Sequence, residues 1–225
     1  MLPNVHDWWN KPRKISVVVD NPSWILPYID RLINEINFSG DNATLYSEYS
    51  MVSPGDVAFF LGCIKIAPAR VLQQNKRNLV CHASDLPKGR GFSPSSWAIL
   101  EGKNSIPVCL LEAVEAVDAG RIIYKEEMIL QGHELSDEVR HIFGNFTVNL
   151  CLRFLSETTP QLGIPQEGEP SFYPRRRPKD NRLDIDKSLR EQFNLLRIVD
   201  NERYPAYFEN LGHFYKLSIE KIEPI

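Results

Sequence analysis

The first strong pattern along the chain is Ile15 to Asp20 (ISVVVD), a continuous run dominated by β-branched residues; behind it, apolar residues recur at Trp24, Ile25, Tyr28, Ile29, Leu32, Ile33 and Ile36. The run reads as a strand buried on both faces, and the three-to-four spacing as an amphipathic helix over 24–38. Gly40-Asp41-Asn42 and Pro54-Gly55-Asp56 predict turns before strands over 43–47 and 57–61. A short helix over 68–74, a strand over 78–82, a short helix over 95–100, strands over 108–114 and 121–128, and a long helix over 136–155 follow. Asp137 and Glu138 in the first turn favour the start of that last helix. Strands alternating with helices imply an α/β fold: a Rossmann-like, mostly parallel sheet flanked by helices, with ligands at the carboxyl ends of the strands.

From Ser156 to Asn181 the pattern gives way to Pro, Gly, Glu and Arg, which reads as a loop or linker. The remainder predicts a helix over 185–199 and a hairpin over 213–222, too little for a core of its own. Residues 1–160 are therefore expected to form the main domain, and 161–225 an extension of basic loop, helix and hairpin packed on it.

Composition narrows the function. With 225 residues, 43% of them hydrophobic, and a formal net charge of -3, the chain has room for one large core and no global basic field. Nucleic acid is not an expected partner. Cys63, Cys81, Cys109 and Cys151 form no CxxC pair, so reduced, structural thiols in a cytoplasmic protein are expected. Met1 to Lys14 has no basic segment followed by an apolar stretch, and no apolar run reaches the roughly 20 residues that span a bilayer, so neither export nor a membrane is expected. No metal site is visible.

The densest chemistry lies in His82-Ala83-Ser84-Asp85-Leu86-Pro87-Lys88-Gly89-Arg90-Gly91-Phe92-Ser93-Pro94, a histidine at a strand end followed by a Pro- and Gly-rich loop. A lone histidine is more often structural than functional. The acid in Glu115-Ala116-Val117-Asp118-Ala119-Gly120 suits an ordinary turn. Taken together, HASDLPKGRGFSPSSWAILEG followed by VDAG resembles the hallmark of the folate-dependent formyltransferases. That family's pattern is Asn-x-His ending a strand, a Leu-Pro-(Lys/Arg)-x-(Arg/Lys)-Gly loop, and a downstream Asp-x-Gly. The match runs from Val57 to Met128. It departs at Val80, where the family places the Asn; Asn78 lies one pleat repeat, about 6.6 Å, further back. An apolar residue at that place is similar to a short-chain subgroup of sugar formyltransferases of the pseudaminic-acid-pathway type.

The resemblance implies that His82 acts as general base or proton shuttle, with Asp118 orienting its ring. It implies 10-formyltetrahydrofolate as formyl donor, its pterin held by Phe60, Leu61, Gly62, Leu111, Val114 and Val117. The acceptor would be the amine of a nucleotide-linked amino sugar, a UDP-4-amino-4,6-dideoxy sugar first, contacted by Ser84, Lys88, Arg90, Gly91, Tyr173 and Arg175. Lys88 and Arg90 suit a diphosphate. The segment Tyr173 to Asp184 and the Tyr204-Pro205-Ala206-Tyr207 stretch also resemble that subgroup. A transfer-RNA acceptor is disfavoured, because only about 40 residues follow Asp184 and a further domain would need about 100. A carrier-bound aminoacyl acceptor and a non-catalytic folate-binding relative are the other readings. A homodimer through the hairpin is also expected.

Overall fold

A computed structural model describes residues 12–159 and 161–223; the stretch inspected above for an export signal lies, up to residue 11, outside them. In chain order the strands are β1 (Lys14–Val18), β2 (Asn42–Tyr46), β3 (Gly55–Phe60), β4 (Asn75–His82), β5 (Arg90–Gly91), β6 (Ser105–Glu112), β7 (Ile122–Ile129), β8 (Phe172–Tyr173), β9 (Ala206–Asn210) and β10 (His213–Leu217). The α-helices are α1 (Leu26–Phe38), α2 (Ala69–Leu72), α3 (Pro94–Leu100), α4 (Ser136–Ser156) and α5 (Phe193–Ile198).

Six strands make the central sheet in the order β2-β1-β3-β4-β6-β7. β2, β1, β3 and β4 are parallel, because helical or long connections return the chain to the same end each time. β6 runs antiparallel to β4, and β7, which segment 113–121 joins to β6, runs antiparallel to β6. Period-two alternation then sorts the side chains. Ile15, Val17, Val57, Phe59, Leu61 and Leu79 pack against α1 and α4 through Ile29, Leu32, Ile36, Val148, Cys151 and Phe154. Val18, Ala58 and Phe60 face the other way and meet Val52 and Val71.

Two expectations for the C-terminal part need correction. The helix expected over 185–199 is confined to 193–198. Ahead of it the Gln192 side chain donates to the Asp184, Lys187 and Ser188 carbonyls and accepts from the Asp184 N–H, winding that stretch into a loop. The hairpin sits earlier than 213–222: β9 pairs with β10, Asn210 opposite His213. Leu211 and Gly212, at φ 51° and 80°, make the two-residue turn. Both central residues of such a turn need positive φ, which matches strand twist but is unusual for Leu.

The Pro- and Gly-rich segment after α4 is a strap bonded to the main sheet. Ile164 exchanges two backbone hydrogen bonds with Ile122, each 2.8 Å, and β8 lies parallel to β5.

Candidate active site

β4 ends on His82, which is buried. Its Nε2 lies 2.8 Å from the Gly89 carbonyl, and its Nδ1 lies 3.5 Å from Asp118 Oδ2. A carbonyl can only accept, so Nε2 carries a hydrogen and Nδ1 is the nitrogen whose protonation can change. Asp118 sits in the β6–β7 turn at φ 48°, a left-handed conformation that Asp tolerates better than most residues. The same Oδ2 accepts the Gly91 N–H at 2.8 Å, so one carboxylate oxygen ties the histidine loop to the acid's turn.

Two glycines make this approach possible. Gly91 has φ 103°, and a Cβ there would lie 2.6 Å from the Tyr173 carbonyl. At Gly120 a Cβ would lie 1.9 Å from the Glu112 carbonyl, so the Asp118 turn closes only over a glycine. The strap covers the loop from outside: Arg90 N–H donates to the Ser171 carbonyl, Phe92 N–H to the Tyr173 carbonyl, and Gly89 N–H to Ser171 Oγ.

His82 and Asp118 line a cavity of about 680 Å³. Phe60, Leu61, Gly62, Val80, Val114 and Val117 supply an apolar wall, with Val114 and Val117 partly exposed. That is a fitting surface for a flat, largely apolar ring system with polar edges. Arg175, Arg176 and Arg177 from the strap add cations to the lining. Arg176 is held by the Asp180 carbonyl and Asn181 Oδ1 and lies over the Trp97 ring, whereas Arg175 lies over Phe92. Arg140 and Arg197 are also on the wall, paired with Asp200 at 2.9 Å and Glu134 at 3.3 Å.

The structure distributes the remaining sequence-predicted residues unevenly. Gly91 and Arg175 line the cavity, while Leu111, expected in the pterin slot, is wholly buried beside Leu86 and Cys109 and is off the wall. Ser84 is buried, its hydroxyl without a partner among the described residues, and is also off the wall. Lys88 is exposed and outside the cavity, and Arg90 donates both Nε and Nη2 to Gln166 Oε1. Tyr173 stacks on Trp97 and donates to Glu101. These side chains build the loop; they do not face the cavity.

Asn78 does not take the place of the amide missing at Val80, since its Nδ2 donates to the Leu72 and Asn75 carbonyls. Burial pushes the thiols on the wall up, Cys63 to about 11 and Cys81 to about 12, which disfavours their nucleophilic thiolate forms. Sequence reasoning missed Gln166, Arg140 and Arg197. The last two lay in helical patterns where a cation reads as a solvated face, and Gln166 lay in an aperiodic stretch.

Among proteins of known family, a profile described as formyl transferase matches residues 37–152, just over half of the chain. Methionyl-tRNA formyltransferase of Clostridioides difficile is 31% identical over 171 residues, covering 73% of this chain and 55% of its own length. The chain thus spans about half the length of the curated relatives it matches. Of solved structures, methionyl-tRNA formyltransferase from Clostridium thermocellum superposes with a TM-score of 0.80 at 21% identity, over 93% of each chain. A sugar N-formyltransferase from a Shewanella species superposes at 0.66 with 14% identity, over 93% of this chain and 99% of its own. The histidine at the end of β4 and the acid in the β6–β7 turn fall within the matched span, and the chain belongs to the formyl transferase family.

Proposed function

We propose that this protein is an N-formyltransferase that moves a formyl group from 10-formyltetrahydrofolate to the primary amine of a nucleotide-linked amino sugar. The observation that carries the reading is the buried His82–Asp118 pair on the wall of a cavity that apolar residues and three successive arginines also line. Phe60, Leu61, Gly62, Val114 and Val117 would hold the folate, which supplies the electrophilic formyl carbon when bound. Arg175 and Arg177, exposed on the strap, would meet the diphosphate of the acceptor.

On this reading Nδ1 of His82 takes the proton that the attacking amine must lose and returns it to the folate nitrogen as its bond to the formyl carbon breaks, while Nε2 stays fixed on Gly89. Asp118 stabilises the imidazolium so formed and, through Gly91 N–H, holds the loop in register. With Val80 apolar, the Asn78 amide bonded elsewhere and Nδ1 offering its lone pair to the amine, the negative charge developing on the formyl oxygen is left to backbone N–H groups.

A UDP-linked 4-amino-4,6-dideoxy sugar, as on a pseudaminic-acid-like route, is the first acceptor to test. The second reading, transfer to an aminoacyl-tRNA, draws on the name of the 31% identical relative. The test is a panel of UDP-, dTDP- and GDP-linked amino sugars, methionyl-tRNA and an aminoacyl carrier, each incubated with 10-formyltetrahydrofolate and followed by mass. Gain of a formyl group by an amino sugar supports the proposal; gain only by the tRNA or the carrier overturns the choice of acceptor.

A further inference from the structure

Between the two halves of the site lies a residue that touches neither ring nor carboxylate. Gln166 stands on the strap two residues after Ile164, whose backbone pairs with Ile122 at the start of β7. Its Nε2 donates to the Asp118 carbonyl at 2.7 Å and the Gly120 carbonyl at 2.8 Å. Its Oε1 accepts Arg90 Nη2 at 2.7 Å and Nε at 3.2 Å. One side-chain amide thus uses both hydrogens on the acid's turn and its oxygen on the histidine loop. The guanidinium on the oxygen polarises the amide and strengthens its two N–H donors.

This matters because the bonded turn is under conformational tension: Asp118 is a non-glycine residue at φ 48°. Apart from the Gly91 N–H to Asp118 Oδ2 bond, the Gln166–Arg90 bridge is the polar link from this loop to that turn. The separation it governs is the 3.5 Å between His82 Nδ1 and Asp118 Oδ2, at which small displacements change the charge–charge interaction most. Among the described residues no carboxylate other than Asp118 pairs with the ring. Glu112, Arg140, Arg175 and Asp200, charged groups on the same cavity wall, form no ion pair with it.

We infer that Gln166 is a positioning residue that sets the His82–Asp118 distance by clamping the Asp118 turn to the Arg90 loop. The inference rests on the catalytic roles given above to His82 and Asp118. Loss of the clamp lets Asp118 relax away from Nδ1, so the imidazolium formed in the reaction is less well stabilised.

The test uses the full chain as wild type, Gln166→Leu, which removes donors and acceptor, and Gln166→Glu, which keeps the Arg90 contact and loses both donors. The primary readout is the crystal structure of each variant that melts cooperatively, in the absence of donor and acceptor, so a protein that formylates nothing tried still returns an answer. The His82 Nδ1 to Asp118 Oδ2 separation is expected to widen beyond the roughly 4 Å of an ion pair. In an active assay kcat should fall at least about tenfold while both KM values stay within about twofold. Exchange of the Gln166 side-chain amide hydrogens in the wild type, which needs no variant to fold, should be slowed well below that of a free glutamine. A separation that stays near 3.5 Å in a folded variant, or wild-type exchange at the free rate, overturns the inference.

Discussion

Replacing Asp118 by Asn removes the charge at the site while conserving its shape. Asn adopts positive φ as readily as Asp, so the 48° backbone is retained. Its Oδ1 can still accept the Gly91 N–H, so the loop stays tied to the turn. What is lost is the attraction between a carboxylate and an imidazolium 3.5 Å apart. At an effective dielectric constant of about 20 this amounts to about 5 kcal/mol. If the imidazolium is essentially complete in the transition state, the rate should fall between about 10³- and 10⁴-fold. The assay is steady-state formyl transfer at saturating donor and acceptor across pH, alongside a thermal melt. The Tm should stay within about 3 °C, since less than about 1 kcal/mol of folding energy changes. A rate within tenfold of wild type would refute the assignment of Asp118.

Arg175→Ala and Arg177→Ala are each expected to raise the acceptor KM by about 10- to 100-fold with the folate KM unchanged, as for a charge-assisted contact of about 1.5–3 kcal/mol; kinetics with each substrate varied in turn will check this. Gly91→Ala should destabilise the fold by about 2–4 kcal/mol, because its φ of 103° and the Tyr173 carbonyl 2.6 Å from the new Cβ leave the methyl no room; urea unfolding measures the loss. Burial pushes the Glu134 carboxyl up, but hydrogen bonds from the Gln131, Glu134 and Gly132 N–H groups, with nearby His133, outweigh it and hold the group below the usual range. A depressed carboxyl contributes stability above its unfolded value near pH 4.3 and loses it as pH falls through the folded value. Glu134→Gln, which leaves the buried Arg197 guanidinium unpaired, should therefore cost about 3 kcal/mol at pH 7. That difference should shrink in urea titrations as pH drops below about 4.

What could be read from the sequence was whatever a period or a dense motif encodes. The Ile15–Asp20 run and the helix behind it appear where expected because burial of both strand faces and one helix face writes itself into spacing. His82 and Asp118 were found through their loops, and the sheet topology brings them to 3.5 Å from segments far apart in the chain. Three things left no such trace. Leu211 takes a positive φ that its side chain disfavours, so the hairpin turn carried no warning and the strands were placed late. Arg90 looked like a ligand cation, but only the fold reveals that Gln166, from the aperiodic stretch, occupies its guanidinium. Leu111 was assigned to a cavity wall, yet alternation along β6 turns it into the interior.

The strap has a consequence for how the protein comes into being. A ribosome delivers the sheet and α4 before it delivers Ser171 and Tyr173, whose carbonyls receive the Arg90 and Phe92 N–H groups. Chains grow at roughly 5–20 residues per second and fold domain by domain, so the hydrophobic interior can consolidate seconds before the loop carrying Gly91 acquires its cover. A nascent or prematurely ended product would resist proteolysis through its interior and yet do no chemistry. Activity in such a protein reports that synthesis has passed the strap, which folding probes of the interior alone would not detect.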